Sequence, residues 1–223
     1  MNTKRLALTA VILLMATSAF SQKLIQTERY AKSNAELKAE GSYGRTVLMG
    51  DSITDGWPGQ RPAFFKDNAL VGRGISGEET SQMLLRFRRD VLDVAAGTVV
   101  IFGGINDIAE NLGGPYSEDK TFDNLVSMAE LAQAHNIRVI LCALLPSTHF
   151  GWNPAITDVR TKVASLNARL KAYAKANGIL FADYYTPLAG PDGISIRKEL
   201  SPDSVHPNAD GYAIMEKVLL ELL

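Results

Sequence analysis

The sequence holds a single cysteine, Cys142, and three histidines, His135, His149 and His206, in 223 residues. One cysteine excludes an internal disulfide framework and any zinc site built on several thiolates. Three histidines leave a short list for imidazole chemistry. An excess of one charge is missing as well, since 23 Lys+Arg stand against 24 Asp+Glu. That balance offers no electrostatic footprint for nucleic acid or for an anionic membrane surface. Pro/Ser/Gly-rich linkers, internal repeats and low-complexity tracts are absent, which argues for one domain. Hydrophobic residues at 46% are ordinary for a globular chain that buries a core.

A charge-free apolar run extends from Leu6 to Ala16 behind Lys4 and Arg5. It is too short to span a bilayer, which takes about 20 residues. Ala19 and Ser21 then form a small-x-small exit. The segment reads as a secretory signal peptide over residues 1–21, and no cysteine stands near its exit to carry a lipid. The expectation is a mature chain of residues 22–223, a single domain exported to the periplasm or the medium, with no membrane span.

Beyond a helical stretch from Ile25 to Glu40, short apolar runs alternate with amphipathic ones. Arg45–Met49, Ala69–Val71, Thr98–Phe102, Arg138–Leu144 and Ile179–Ala182 lack polar alternation, as strands buried on both faces do. Glu78–Val94, Ser117–His135, Thr157–Asn177 and Asn208–Leu222 carry apolar residues at helical spacing. This alternation predicts an open parallel α/β/α sandwich with right-handed crossovers. Ligands of such sheets bind beyond the carboxyl ends of the strands, so the loops there are the ones to read.

The first of these loops is Gly50-Asp51-Ser52-Ile53. Ser52, just past a strand and preceded by a glycine for a tight turn, is placed as an exposed nucleophile in need of a base. A turn serine or helix cap explains the same residues. The second loop, Gly72-Arg73-Gly74-Ile75-Ser76-Gly77, matches the G-x-G-x-x-G dinucleotide fingerprint, but the acidic ribose partner about 20 residues on is missing. Glu78 and Glu79 would also oppose a pyrophosphate at the helix start. The loop reads better as a source of one exposed N–H, at Gly77. In Gly104-Ile105-Asn106-Asp107, Asn106 can donate to an oxyanion or close an Asx-turn. In Asp203-Ser204-Val205-His206, Asp203 can fix the tautomer of His206 and leave Nε2 as a base. The pair could also be a surface turn or two metal ligands, although a third ligand group is lacking.

Other residues carry plainer expectations. Asp51 and Asp107 brace loops, Cys142 is a buried small hydrophobe, and His135 ends a helix. Arg73 and the helix bearing Arg86, Arg88 and Arg89 read as solvated. His149 and Trp152, in a loop bracketed by prolines, are candidates for the lining of a substrate pocket.

Together and in this order, the four blocks resemble the SGNH (GDSL-type) hydrolase family: Gly50-Asp51-Ser52-Ile53, Gly77, Gly104-Ile105-Asn106-Asp107 and Asp203-Ser204-Val205-His206. The resemblance covers roughly Thr46 to Leu220. It implies a flavodoxin-like three-layer α/β/α sandwich with a central five-stranded parallel sheet and the serine after the first strand. It further implies Ser52 as nucleophile, His206 as general base, Asp203 as its orienting acid, and an oxyanion hole from the Ser52 N–H, the Gly77 N–H and the Asn106 side chain. No cofactor or metal is expected. The expected activity is hydrolysis of a small-molecule or glycan ester through an acyl-enzyme, with short acyl groups such as O-acetyl on carbohydrate favoured by the lack of a lid. A lysophospholipase or thioesterase is the alternative. A nucleotide-binding oxidoreductase using Gly72–Gly77 and a non-catalytic binding protein on the same fold are further readings.

Overall fold

A computed structural model describes residues 28–41 and 43–223 of the chain. The expected signal peptide, residues 1–21, lies outside the described residues. The first described helix is α1 (Ala31–Ala39). Five strands follow: β1 (Arg45–Gly50), β2 (Leu70–Gly74), β3 (Ala96–Phe102), β4 (Arg138–Cys142) and β5 (Leu180–Ala182). All their pairings are parallel, and the order is β2-β1-β3-β4-β5. Each crossover carries helix: α2 (Ser52–Gln60) and α3 (Pro62–Asp67) after β1, α4 (Thr80–Phe87) after β2, α5 (Ile105–Ile108) and α6 (Glu118–Ala134) after β3, and α7 (Val159–Ala176) after β4. Beyond β5 come the short α8 (Tyr185–Leu188) and the closing α9 (Ala209–Leu220). This is the expected α/β/α sandwich with a five-stranded parallel sheet.

The uninterrupted apolar strands serve two cores, because successive side chains point to opposite faces. Val47, Met49, Val99, Ile101, Val139 and Leu141 face one layer, packed on Met83 and Phe87 of α4, Met128 of α6 and Leu166 of α7. Leu48, Val100, Phe102, Ile140 and Cys142 face the other, against Trp57 of α2, Phe64 and Phe65 of α3 and Met215 and Leu219 of α9. Each such buried side chain contributes about 1.5–3 kcal/mol of apolar transfer free energy. Two layers of that kind fix the sheet, and the sheet fixes the loops at its carboxyl edge.

Those loops converge where the strand order reverses. From β1 the chain crosses to β2 on one side and then returns to place β3 on the other. The crevice at such a switch point lies above β1 and β3, the strands that precede Ser52 and Asn106. Among the described residues, no helix is long and apolar enough to cross a membrane.

Three details depart from expectation. Strand β2 runs through Gly74, so Gly72 and Gly74 lie in the sheet opposite Leu48 and Gly50 rather than in a phosphate-cradling turn. A Cβ at Gly74 would stand 2.1 Å from the Asp55 nitrogen, so the glycine serves close backbone approach. Helix α4 ends at Phe87 and passes into a π turn over Arg88–Leu92, shorter than the single helix expected from Glu78 to Val94. Two of the arginines expected in solvent are the third departure, whereas Arg88 and Arg89 are exposed as expected. Arg86 is fully buried, and its guanidinium bonds Glu78, Asp90 and the carbonyls of Gly50 and Arg73. Arg73 is buried too, donating to Asn34, Ser33 and the Gly72 carbonyl. Buried carboxylates and strand-end carbonyls supply the partners that a buried guanidinium requires.

Candidate active site

Ser52 is the first residue of α2, and Asp51 caps that helix by accepting from the Ile53 N–H at 3.0 Å. A first-turn N–H has no acceptor within its own helix, and the Ser52 N–H, at the positive end of the helix dipole, has no backbone acceptor elsewhere among the described residues. Gly50 is needed for space rather than for a tight turn, since a Cβ there would meet Thr54 Oγ1 at 2.1 Å and the Phe102 carbonyl at 2.7 Å. Asp51 is buried, and burial pushes its carboxyl up to about 7, against the opposing Ile53 N–H.

The late Asp-x-x-His block folds into a tight turn with Ser204 at φ +67°. Asp203 Oδ1 accepts from the backbone N–H groups of Val205 (3.0 Å) and His206 (2.7 Å), while Oδ2 lies 2.6 Å from His206 Nδ1. Burial acts to raise the Asp203 carboxyl, but these hydrogen bonds prevail and hold it below the usual carboxylate range. With Nδ1–H donating to Asp203, His206 Nε2 is left to accept from the Ser52 hydroxyl, whose oxygen is 2.8 Å away. Asn208, the cap of α9, accepts from Asp210 and Gly211 and so starts that helix two residues beyond the imidazole. Pro207 therefore precedes the helix rather than opening it.

Gly77 sits in the turn before α4 at φ +82°, a conformation open to glycine. Among the described residues its N–H has no hydrogen-bond partner within the turn. Asp55 of α2 holds the neighbouring Ser76 through both its N–H and its hydroxyl. Asn106 is buried in α5 and donates from Nδ2 to the Glu78 carbonyl at 3.0 Å. Asp107 accepts from the Thr80 N–H, the Thr80 hydroxyl and the Thr121 hydroxyl, tying α4 and α6 to α5. Asp51 and Asp107 thus brace loops, as their sequence setting suggested.

Trp152 is 46% exposed and lies beside His206, with ring centroids 6.0 Å apart. His149, in the same loop, is exposed, and its Nδ1 pairs with the Thr148 hydroxyl rather than with any of the residues around Ser52. His135 is the C-cap of α6, and Cys142 is buried, which pushes its thiol up. Asn111, Asp55 and Arg86 were not singled out for the site by sequence, yet all three tie its loops together. Among the described residues, no three His, Cys, Asp or Glu side chains gather as a metal-ligating group.

A hydroxyl, an imidazole and a carboxylate in hydrogen-bonded line form an arrangement capable of acyl transfer. The family comparison agrees with that geometry: residues 48–214 match the GDSL-like Lipase/Acylhydrolase family, and the chain belongs to it. Its fold and family are those of an ester hydrolase. A GDSL-like lipase from Bacteroides thetaiotaomicron is 47% identical with a TM-score of 0.84, over 88% of this chain and 96% of that one. A candidate acylhydrolase from Bacteroides fragilis is 48% identical with a TM-score of 0.83, over 87% of this chain and 94% of that one. An uncharacterized lipoprotein of Bacillus subtilis, YqeF, is 34% identical over 79 residues, which span 34% of this chain and 32% of that protein.

Proposed function

We propose that the protein is an exported serine esterase that hydrolyses short-acyl esters, such as O-acetyl groups on carbohydrate, through an acyl-enzyme. The observation that carries this reading is the line Ser52 Oγ, His206 Nε2, His206 Nδ1, Asp203 Oδ2, with steps of 2.8 and 2.6 Å. Ser52 Oγ attacks the ester carbonyl while His206 Nε2 takes its proton. The carbonyl oxygen becomes an oxyanion within reach of the Ser52 and Gly77 N–H groups and the Asn106 amide. Collapse of the tetrahedral intermediate expels the alcohol, which takes the proton from His206. Water, deprotonated by the same imidazole, then releases the acid and restores Ser52. Asp203 stays ionised throughout and stabilises the cationic ring.

A short acyl group is favoured by the sequence, in which no long apolar insertion stands near the site blocks. The partly exposed Trp152 beside His206 offers an open aromatic face to the alcohol side, which suits a sugar ring. Export rests on the N-terminal sequence, and the Bacillus subtilis relative is described as a lipoprotein.

The test is an acyl-chain series of p-nitrophenyl esters from acetyl to decanoyl, run beside acetylated xylan and pectin. The expected result is a kcat/KM optimum at acetyl together with release of acetate from a glycan. An optimum at long chains would move the reading to a lysophospholipase or thioesterase.

A further inference from the structure

Asn106 can serve an oxyanion only if its NH2 edge, and not its carbonyl edge, is turned toward that oxygen. An isolated carboxamide has no preference between the two, because its ends are nearly the same size and either can hydrogen-bond. Something must therefore fix its polarity.

A chain of hydrogen bonds with unambiguous ends does so. At one end, the Trp152 indole N–H, which can only donate, gives its proton to Asn111 Oδ1 at 3.0 Å. That turns the Asn111 NH2 edge inward, where Nδ2 donates to Asn106 Oδ1 at 2.8 Å and lies 3.4 Å from the Gly77 carbonyl. With its oxygen so engaged, Asn106 presents Nδ2 on the other side, where one N–H goes to the Glu78 carbonyl at 3.0 Å, a group that can only accept. The second N–H of Asn106 Nδ2 remains for the oxyanion. Reversing either amide would set two oxygens or two NH2 groups against each other, which costs the full penalty of unmade hydrogen bonds. The approach to the Gly77 carbonyl, at 3.4 Å, is long beside the 2.8 Å bond to Asn106, so the Asn106 amide is the group that Asn111 orients.

We propose that Asn111 is a positioning residue for ester hydrolysis: it fixes the polarity of the Asn106 amide and joins it to Trp152, the exposed ring beside His206. This rests on the reading of Asn106 as an oxyanion donor. Its consequence reaches specificity, because a substrate that packs on Trp152 presses on the far end of the chain that orients Asn106.

The experiment is a double-mutant cycle on p-nitrophenyl acetate turnover, built from Asn106→Ala and Asn111→Asp. Aspartate keeps the size of Asn111 and can still accept from Trp152, but has no proton for Asn106 Oδ1. Asn106→Ala should lower kcat by about 100-fold, the loss typical of one oxyanion donor. Asn111→Asp should lower kcat by about tenfold, part of that same loss, with KM within about threefold. In the Asn106→Ala background the same change should move kcat by less than about threefold, because no amide is left to orient. Losses that multiply, or an unchanged kcat in Asn111→Asp where Asn106→Ala is impaired, would overturn the proposal and leave the oxyanion reading standing. An unchanged kcat in Asn106→Ala would overturn the oxyanion reading, and this role with it. Should Asn111→Asp fail to fold, Trp152→Phe completes the same cycle from the other end, since it removes the anchoring N–H and keeps a ring beside His206. Its kcat loss should likewise vanish in the Asn106→Ala background, and a loss that persists there contradicts the proposal.

Discussion

Ser52 and His206 stand 154 positions apart in sequence, and their side chains meet at 2.8 Å across the carboxyl edge of the sheet. The contact joins the first turn of α2 to the loop before α9. Neither residue could be brought there by local sequence alone, since the two helices pack on one face through Trp57, Tyr212 and Met215.

That pairing gives the first prediction. Removal of the nucleophile or the base in a unit of this kind costs about 10⁶-fold in kcat, and removal of the orienting acid about 10⁴-fold. Ser52→Ala and His206→Ala should therefore abolish hydrolysis of p-nitrophenyl acetate, and Asp203→Ala should retain more activity than either. Circular dichroism should remain that of the wild type in all three.

Arg86 gives a prediction on stability. Its guanidinium is the shared partner of Glu78 (2.6 Å) and Asp90 (2.8 Å), all three buried. Arg86→Met removes the cation and strands two carboxylates, a change that costs about 3–5 kcal/mol when a buried pair is broken. Chemical denaturation should report a loss of that order. Because Arg86 also binds the Gly50 carbonyl ahead of Ser52, turnover in the folded fraction should fall as well. A stability equal to the wild type would mean that the network contributes nothing.

The third prediction concerns pH. In the folded protein burial raises the Asp51 carboxyl to about 7, whereas in the unfolded chain it titrates near its ordinary value of about 3.9. Between those values the folded state holds the proton more tightly, so this group makes stability fall as pH rises from about 4 to about 7, then level off. Asp51→Asn removes the titration and keeps a good helix cap. The melting temperature of the variant relative to wild type should climb between pH 4 and pH 7 and stay constant above it. A difference independent of pH would refute this.

Trp152 gives the fourth. Trp152→Ala removes the ring beside His206 and the donor to Asn111. KM for an acetylated glycan should rise several-fold more than KM for p-nitrophenyl acetate, whose alcohol part is small. Equal changes on both substrates would remove the ring from substrate recognition.

The strands were legible because β-branched runs without polar alternation have few other homes than a parallel sheet covered on both faces. The site blocks were legible because each sits directly after a strand or before a helix. Buried charge was not. Arg86 looks like any helical arginine until Glu78, Asp90 and the ends of β1 and β2 are folded around it, and only tertiary structure supplies those partners. The Gly72–Gly77 run misled for a related reason. Glycine in a sequence suggests a turn, yet Gly72 and Gly74 lie in β2, where Gly74 makes room for the backbone of α2. Asn111 was silent as well, because its partners Asn106 and Trp152 come from separate segments that meet only at the site.

The most direct test of the account is labelling by a fluorophosphonate probe, followed by peptide mass mapping and run beside ester turnover. The account predicts one modified residue, Ser52, with labelling and turnover lost together in Ser52→Ala. Modification elsewhere, or undiminished turnover in Ser52→Ala, would contradict it.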